Sequence, residues 1–168
     1  AISITGLSKR TLWRRIADGV LRTDPAVEPG ERTRVAVDDV APLARLALTS
    51  TLRERVIAAD AGEAEAQCDL GLLFLGEGLD AEGAAWLALA AEQAQLDAMH
   101  WLGRCYVAGR GVAADEKRGV DWIARAANYG HVSARHMVQY LYDPSRQALG
   151  PAELEAALDE IERRVVFE

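Results

Sequence analysis

Three pairs of adjacent alanines, Ala58/Ala59, Ala90/Ala91 and Ala126/Ala127, stand 32 and then 36 residues apart. The residues around them keep the same phase. Eight positions after the first Ala of each pair stands another alanine, Ala66, Ala98 and Ala134. Four further on come Leu70, Leu102 and Val138, and four beyond those Phe74, Tyr106 and Tyr142. Trp86 and Trp122 each precede a pair by four. Self-similarity of this period constrains a fold more than any single motif, because each period is one supersecondary unit that cannot bury its apolar face alone.

Spacings of four and eight put these residues on one helical stripe. The small residues, among them Gly71 and Gly103, let helices approach closely, and the Leu or aromatic side chains fill the space beyond. Between the two helices of a unit lies a glycine-bearing turn, "GEGLD" in the first and "AGRGVAAD" in the second. Stacked units of this kind form a solenoid. The segments "AEAQCDLGLLFLGEGL" and "LDAMHWLGRCYVAGRGVAADEKRGVDWIARAANYGH" resemble the Sel-one-like repeat family, a relative of tetratricopeptide repeats, in their order of Ala, Leu-Gly, aromatic, Gly-x-Gly-Val, Trp and Ala-Ala-x-x-Gly. The first unit is four residues shorter, in its turn, and a third opens at His131 but departs from the pattern after Tyr142. The resemblance covers roughly residues 53–142 and implies a right-handed superhelix that binds proteins and has no catalysis of its own.

Pro151 opens a last helix, "PAELEAALDEIERRVVFE", with early glutamates suited to the positive end of the helix dipole and Leu154, Leu158 and Ile161 at helical spacing. It reads as a cap over the last unit, with dimerisation as the alternative.

Charge divides the chain. Residues 1–56 carry ten Lys/Arg against seven Asp/Glu, whereas residues 57–168 carry nine against nineteen, within a total of −7. The acidic part would repel a polyanion, so nucleic acid could approach only the N-terminal part. There, "TGLSKRTLWRRIADG" predicts a helix from Lys9 to Asp18, with Ser8 as its N-cap and Gly19 as its stop. Leu12 and Ile16 would face a core. "VLR" and "TRVAV" read as two short strands around the loop "TDPAVEPGER", and "DDVAPLARLAL" as a helix running on into the repeats.

This order resembles the winged helix-turn-helix of phage excisionases and the mercury-resistance-regulator superfamily, through "TGLSKRTLWRRIADGVL" and "ERTRVAVDDVAPL". The resemblance implies that Lys9, Arg10 and Thr11 approach bases, that Arg14 and Arg15 lie near phosphates, that Trp13 packs an aromatic against the backbone, and that Arg32 and Arg34 are wing contacts. The family has a helix before the turn, and only "AISI" stands there, so either residues upstream are absent from this chain or the module leans on the solenoid.

The expected class is therefore mainly α: an α–α superhelix at 43–143, preceded by a helix-turn-helix module at 1–42 and followed by a capping helix at 144–168. Met99, Trp101, Arg104 and Tyr140 are candidates for a protein-docking patch on the concave face, in types that interfaces favour; Trp101 packed in an inter-helix seam is the alternative. No metal set, cofactor motif or catalytic constellation stands out. His100 and His136 share a repeat position, and the C-terminal carboxylates have no base or nucleophile near them in sequence. Cys68 and Cys105 fall inside apolar helical patterns, as buried thiols of a reducing compartment do. With no apolar run of membrane-spanning length and no leader, a cytoplasmic protein is expected. The functional expectation is a DNA-binding transcriptional regulator or adaptor whose repeats receive a protein partner or a second copy of the chain. The rival is a protein–protein scaffold that binds no DNA.

Overall fold

The computed structural model describes residues 2–5, 7–24 and 33–167. The chain divides between Ala58 and Ala59 into two compact units, further along than the expected boundary at 42/43.

The first unit contains α1 (Ile2–Thr5), α2 (Lys9–Ala17), α3 (Val37–Val40), a single 3-10 turn at Ala41–Leu43, and most of α4 (Ser50–Asp60). Ser8 caps α2, its Oγ accepting from the Thr11 amide at 3.1 Å. Gly19, at φ +71°, turns the chain off its end, as its sequence position suggested. Ile4, Leu12, Leu21 and Val40 are buried, while Ile16 is half-buried. Among the described residues the two expected strands reduce to one antiparallel bridge, Thr23 with Val35. Asp39 supplies the reason: its carboxylate takes the Arg22 amide at 2.8 Å, diverting a donor that a longer ladder would use. The same carboxylate accepts from the Arg22 guanidinium, at 2.8 Å from Nη2. That hydrogen bond lowers the Asp39 pKa to about 2. The loop from Pro25 to Arg32 lies outside the described residues.

The helix expected to run from "DDVAPLARLAL" into the repeats is broken. Pro42 contributes no N–H and crowds the preceding turn. After the 3-10 turn, Ala44 is extended at ψ 144°, and helix resumes only at Ser50.

The second unit holds α5 (Ala64–Gly76), α6 (Asp80–Glu92), α7 (Leu96–Ala108), α8 (Glu116–Asn128), α9 (Val132–Leu141) and α10 (Pro151–Phe167). Helices α5/α6 and α7/α8 are antiparallel hairpins, and α6/α7 and α8/α9 make the joints between units. Their crossing points are glycine pairs. A Cβ on Gly103 would stand 2.8 Å from the Gly119 carbonyl, and one on Gly119 would stand 2.7 Å from the Gly103 carbonyl. Gly71 and Gly83 face each other in the same way, at 3.1 and 2.9 Å. Around these crossings Ala90, Ala98, Leu102, Ile123, Ala126, Ala134 and Met137 form a continuous buried core.

Gly111 fixes the longer turn. Its φ is +74°, and a Cβ there would fall 2.0 Å from the Asp80 carbonyl, so the turn lies directly on the start of α6. The neighbouring Arg110 bonds the Asp80 carboxylate at 2.8 Å and also reaches the Leu75 carbonyl. A polar clamp holds the other end: the buried Gln67 donates to the Ala59 carbonyl at 3.0 Å and accepts from Gln93 at 2.8 Å.

The third repeat, which opens at His131, does not close as the α5/α6 and α7/α8 repeats do. The slot held by Gly71 and Gly103 is Gln139 in α9, too bulky for a close helix crossing. Here α10 makes its main contacts with α7 and α9, the first helices of their units. The C-terminal helix thus lies across the first-helix layer.

Candidate functional site

The groups that meet α10 are built by the repeat itself. One turn of α7 places His100 and Arg104 on the side that α10 covers, with Trp101 beside them. His100 is fully buried and Arg104 is 3% exposed. The guanidinium lies over the Trp101 ring at 4.7 Å, and the His100 ring meets Trp101 edge-on at 5.3 Å. From α10, Glu155, Asp159 and Glu162 project at spacings of four and three, beside the buried Leu154 and Leu158. Arg104 Nη2 bonds both Glu155 and Asp159. Glu162 Oε2 stands 2.8 Å from His100 Nε2 and 3.8 Å from Arg104 Nη1. Burial opposes the Arg104 charge, but the two carboxylates outweigh it and raise its pKa. Burial likewise opposes the Glu162 charge, yet His100, Ser133 and Arg104 hold its pKa below the ordinary value.

Behind this contact His100 stacks on His131 at 4.4 Å and 14°. His131 begins α9: its Nδ1 accepts from the Ala134 amide at 3.1 Å, and its Nε2 lies 3.3 Å from Asp97. Burial, reinforced by His100, lowers its pKa.

The expected docking patch is therefore not an open surface. Met99 is fully buried, because its position on α7 faces the core shared with Cys105 and Met137. Arg104 points under α10 rather than outward. Trp101 and Tyr140 are half-buried against the core, with the Arg146 guanidinium 5.9 Å from the Tyr140 ring. The C-terminal carboxylates, which looked solitary in sequence, meet an imidazole and a guanidinium from a helix about fifty residues earlier. A signal existed: carboxylates at i, i+4 and i+7 form a second stripe next to the leucines. Nothing in sequence paired that stripe with Arg104.

On α2, Lys9, Arg10 and Arg14 are exposed and form no ion pair among the described residues, and Trp13 is 48% exposed. Thr11 is half-buried, with its hydroxyl 2.9 Å from that of Ser8. Arg15 is also half-buried, with Nε enclosed and unpartnered among the described residues, so it does not share the exposed face of Arg14. Arg34 is exposed, its carbonyl held by the Asp24 amide at 3.1 Å. Arg32 lies outside the described residues.

Cys68 and Cys105 are buried and unbridged; burial pushes their thiols up to about 12 and about 11. Among the described residues no three His, Cys, Asp or Glu gather as a metal site. No described helix is long and apolar enough to cross a membrane.

Glycine-paired helix hairpins joined in series define an α-solenoid repeat protein. The chain is similar to the Sel1 repeat protein from Oxalobacter formigenes, whose crystal structure superposes with a TM-score of 0.53 at 28% identity, over 71% of this chain and all of that one. The likeness supports Sel1-like repeats and does not bear out a winged helix-turn-helix. No family model matches the sequence. No curated protein matches it either.

Proposed function

We propose that the chain is a non-catalytic protein-interaction scaffold whose repeats are the binding element. The observation that carries this reading is the first-helix layer of the repeats. It already receives an amphipathic helix, through a leucine stripe and through paired charges on α7. Receiving a helix in this way is a recurring mode of peptide recognition. The likeness to a Sel1 repeat protein points the same way. The test is affinity purification of the full chain under reversible cross-linking. A stoichiometric protein partner should be lost when Gly103→Leu spreads α7 from α8, and kept when Arg10 and Arg14 are changed to Ala. Retention by the Gly103→Leu chain would refute the assignment to the repeats.

A second reading, DNA binding by the N-terminal unit, rests on the exposed Lys9, Arg10, Trp13 and Arg14 of α2. Anisotropy with random duplex DNA tests it. Affinity should fall steeply with salt, and the Arg10→Ala/Arg14→Ala pair should abolish most of it. A flat salt dependence would refute it.

A further inference from the structure

We propose that the cleft between α7 and α9 is a receptor for an acidic amphipathic helix of a partner protein, and that α10 is its resident occupant, displaced when the partner binds. This rests on the scaffold reading and names the chemistry of the partner.

The cleft presents buried basic side chains where the unit as a whole is acidic. Residues 57–168 carry nineteen carboxylates against nine Lys/Arg, yet Arg104 and His100 are set almost wholly out of water on the face that α10 covers. A helix serving only to cover apolar residues needs no buried guanidinium. Burying that group costs desolvation which its pairs roughly offset, so the charge specifies which helix fits rather than adding stability. The specification can be read off α10: apolar residues at 154, 158 and 161, and carboxylates one position later at 155, 159 and 162.

The resident helix leaves the cleft incompletely used. Arg104 Nε and Nη1 and His100 Nδ1 are buried without a hydrogen-bond partner among the described residues, and so is Glu155 Oε2. A helix with better-placed acceptors would gain charge-assisted bonds that α10 does not make. Geometry also favours exchange. Gln139 keeps α10 from the close hairpin that α6 and α8 make, and residues 143–150, with Pro144 and Gly150, tether it. The tether is itself held by Arg146 on Glu116 and by Leu149 against the core, so it keeps α10 at a high local concentration that a partner helix must outcompete.

The experiment uses the full chain and a fluorescein-labelled peptide of residues 151–167. In the wild-type chain α10 competes, and binding is weak. A full-length Glu155→Gln/Asp159→Asn/Glu162→Gln variant should bind the peptide at least about tenfold more tightly. Full-length Leu158→Asp, which releases α10 by its apolar stripe, should do the same. Arg104→Gln added to either should abolish the gain, with circular dichroism showing the repeats still folded. Equal weak binding by all chains, or binding indifferent to Arg104, overturns the proposal. So does a peptide of reversed charge, with Lys at the three acidic positions, binding as well as the native one. A dimer that free peptide disperses would assign the cleft to a second copy of this chain, and the foreign helix would be discarded. If the peptide fails while the cross-linked partner is still retained, the cleft falls and the scaffold reading stands.

Discussion

Replacing Gly103 by alanine tests whether the glycine pairs set the solenoid. The added Cβ would lie 2.6 Å from Ile123 Cγ1, 2.8 Å from the Gly119 carbonyl oxygen and 3.0 Å from the Ile123 amide nitrogen. Two of these three atoms are backbone and cannot rotate away, so α8 must retreat from α7. Overpacking by a methyl group typically costs about 1–3 kcal/mol, and rigid neighbours put this site near the upper end. Alanine returns about 1 kcal/mol of helix propensity. The net loss is about 2 kcal/mol. At about 2.1 cal/mol/K per residue for residues 59–168, the melting temperature should fall by about 9 °C. Thermal melts by circular dichroism read this directly. Gly76, where a Cβ meets nothing within 4 Å, is the control: Gly76→Ala should be neutral or slightly stabilising. Gly119→Ala should resemble Gly103→Ala, and the double variant should lose less than the sum, since the first methyl has already parted the helices. A Gly103→Ala chain melting at or above wild type would refute the crossing-point argument.

Arg104→Ala should destabilise the second unit by about 2 kcal/mol, less than for a fully buried pair because Asp159 is half-exposed; amide exchange in 151–167 should quicken while 116–128 stays protected. Acid should destabilise the protein in two stages. His131 titrates below its usual 6.5 when folded, so on acidification through 6.5 the unfolded chain binds its proton first and stability falls. Glu162, lowered from 4.5, adds a further loss as pH falls from there through its folded value. His131→Asn keeps a helix-capping acceptor without titrating, and should flatten the first stage of the melting-temperature profile while leaving the second. Neither cysteine should react with a thiol reagent at pH 8 in the folded protein, and both should react in denaturant; rapid labelling of the native chain would contradict their burial.

The repeat was legible in sequence because its determinants are local and recur. Ala98 and Leu102, at the expected spacing, are buried as that spacing requires, and so are Ala134 and Phe74. Half of each crossing point was visible in Gly71 and Gly103; the partners Gly83 and Gly119 lie in helices where a glycine looks like a defect until the opposing one is placed against it. The N-terminal unit was less legible. Its cap and its glycine stop were readable, since each acts within a turn. Its strand ladder was not, because the Arg22–Asp39 pair that interrupts it joins positions 17 residues apart.

Arg104 and Met99 are buried rather than presented on an open face, and for Arg104 the reason lies in another helix. Its repeat position beside Trp101 and its residue type, one that interfaces favour, point Arg104 outward when the repeat is read without α10. It is buried here because three carboxylates arrive from another helix, one turn apart, on a stripe that also carries the leucines. The same arrangement converts a face that repeat geometry leaves open into one that is filled. It makes access to that face a competition between helices rather than a simple encounter. Affinity for any incoming helix is therefore set as much by how firmly Glu155, Asp159 and Glu162 hold Arg104 and His100 as by the contacts that helix makes itself. Weakening the resident pairs should raise affinity for every acidic helix by one common factor. Changing Arg104 should lower it most for the helices richest in carboxylates.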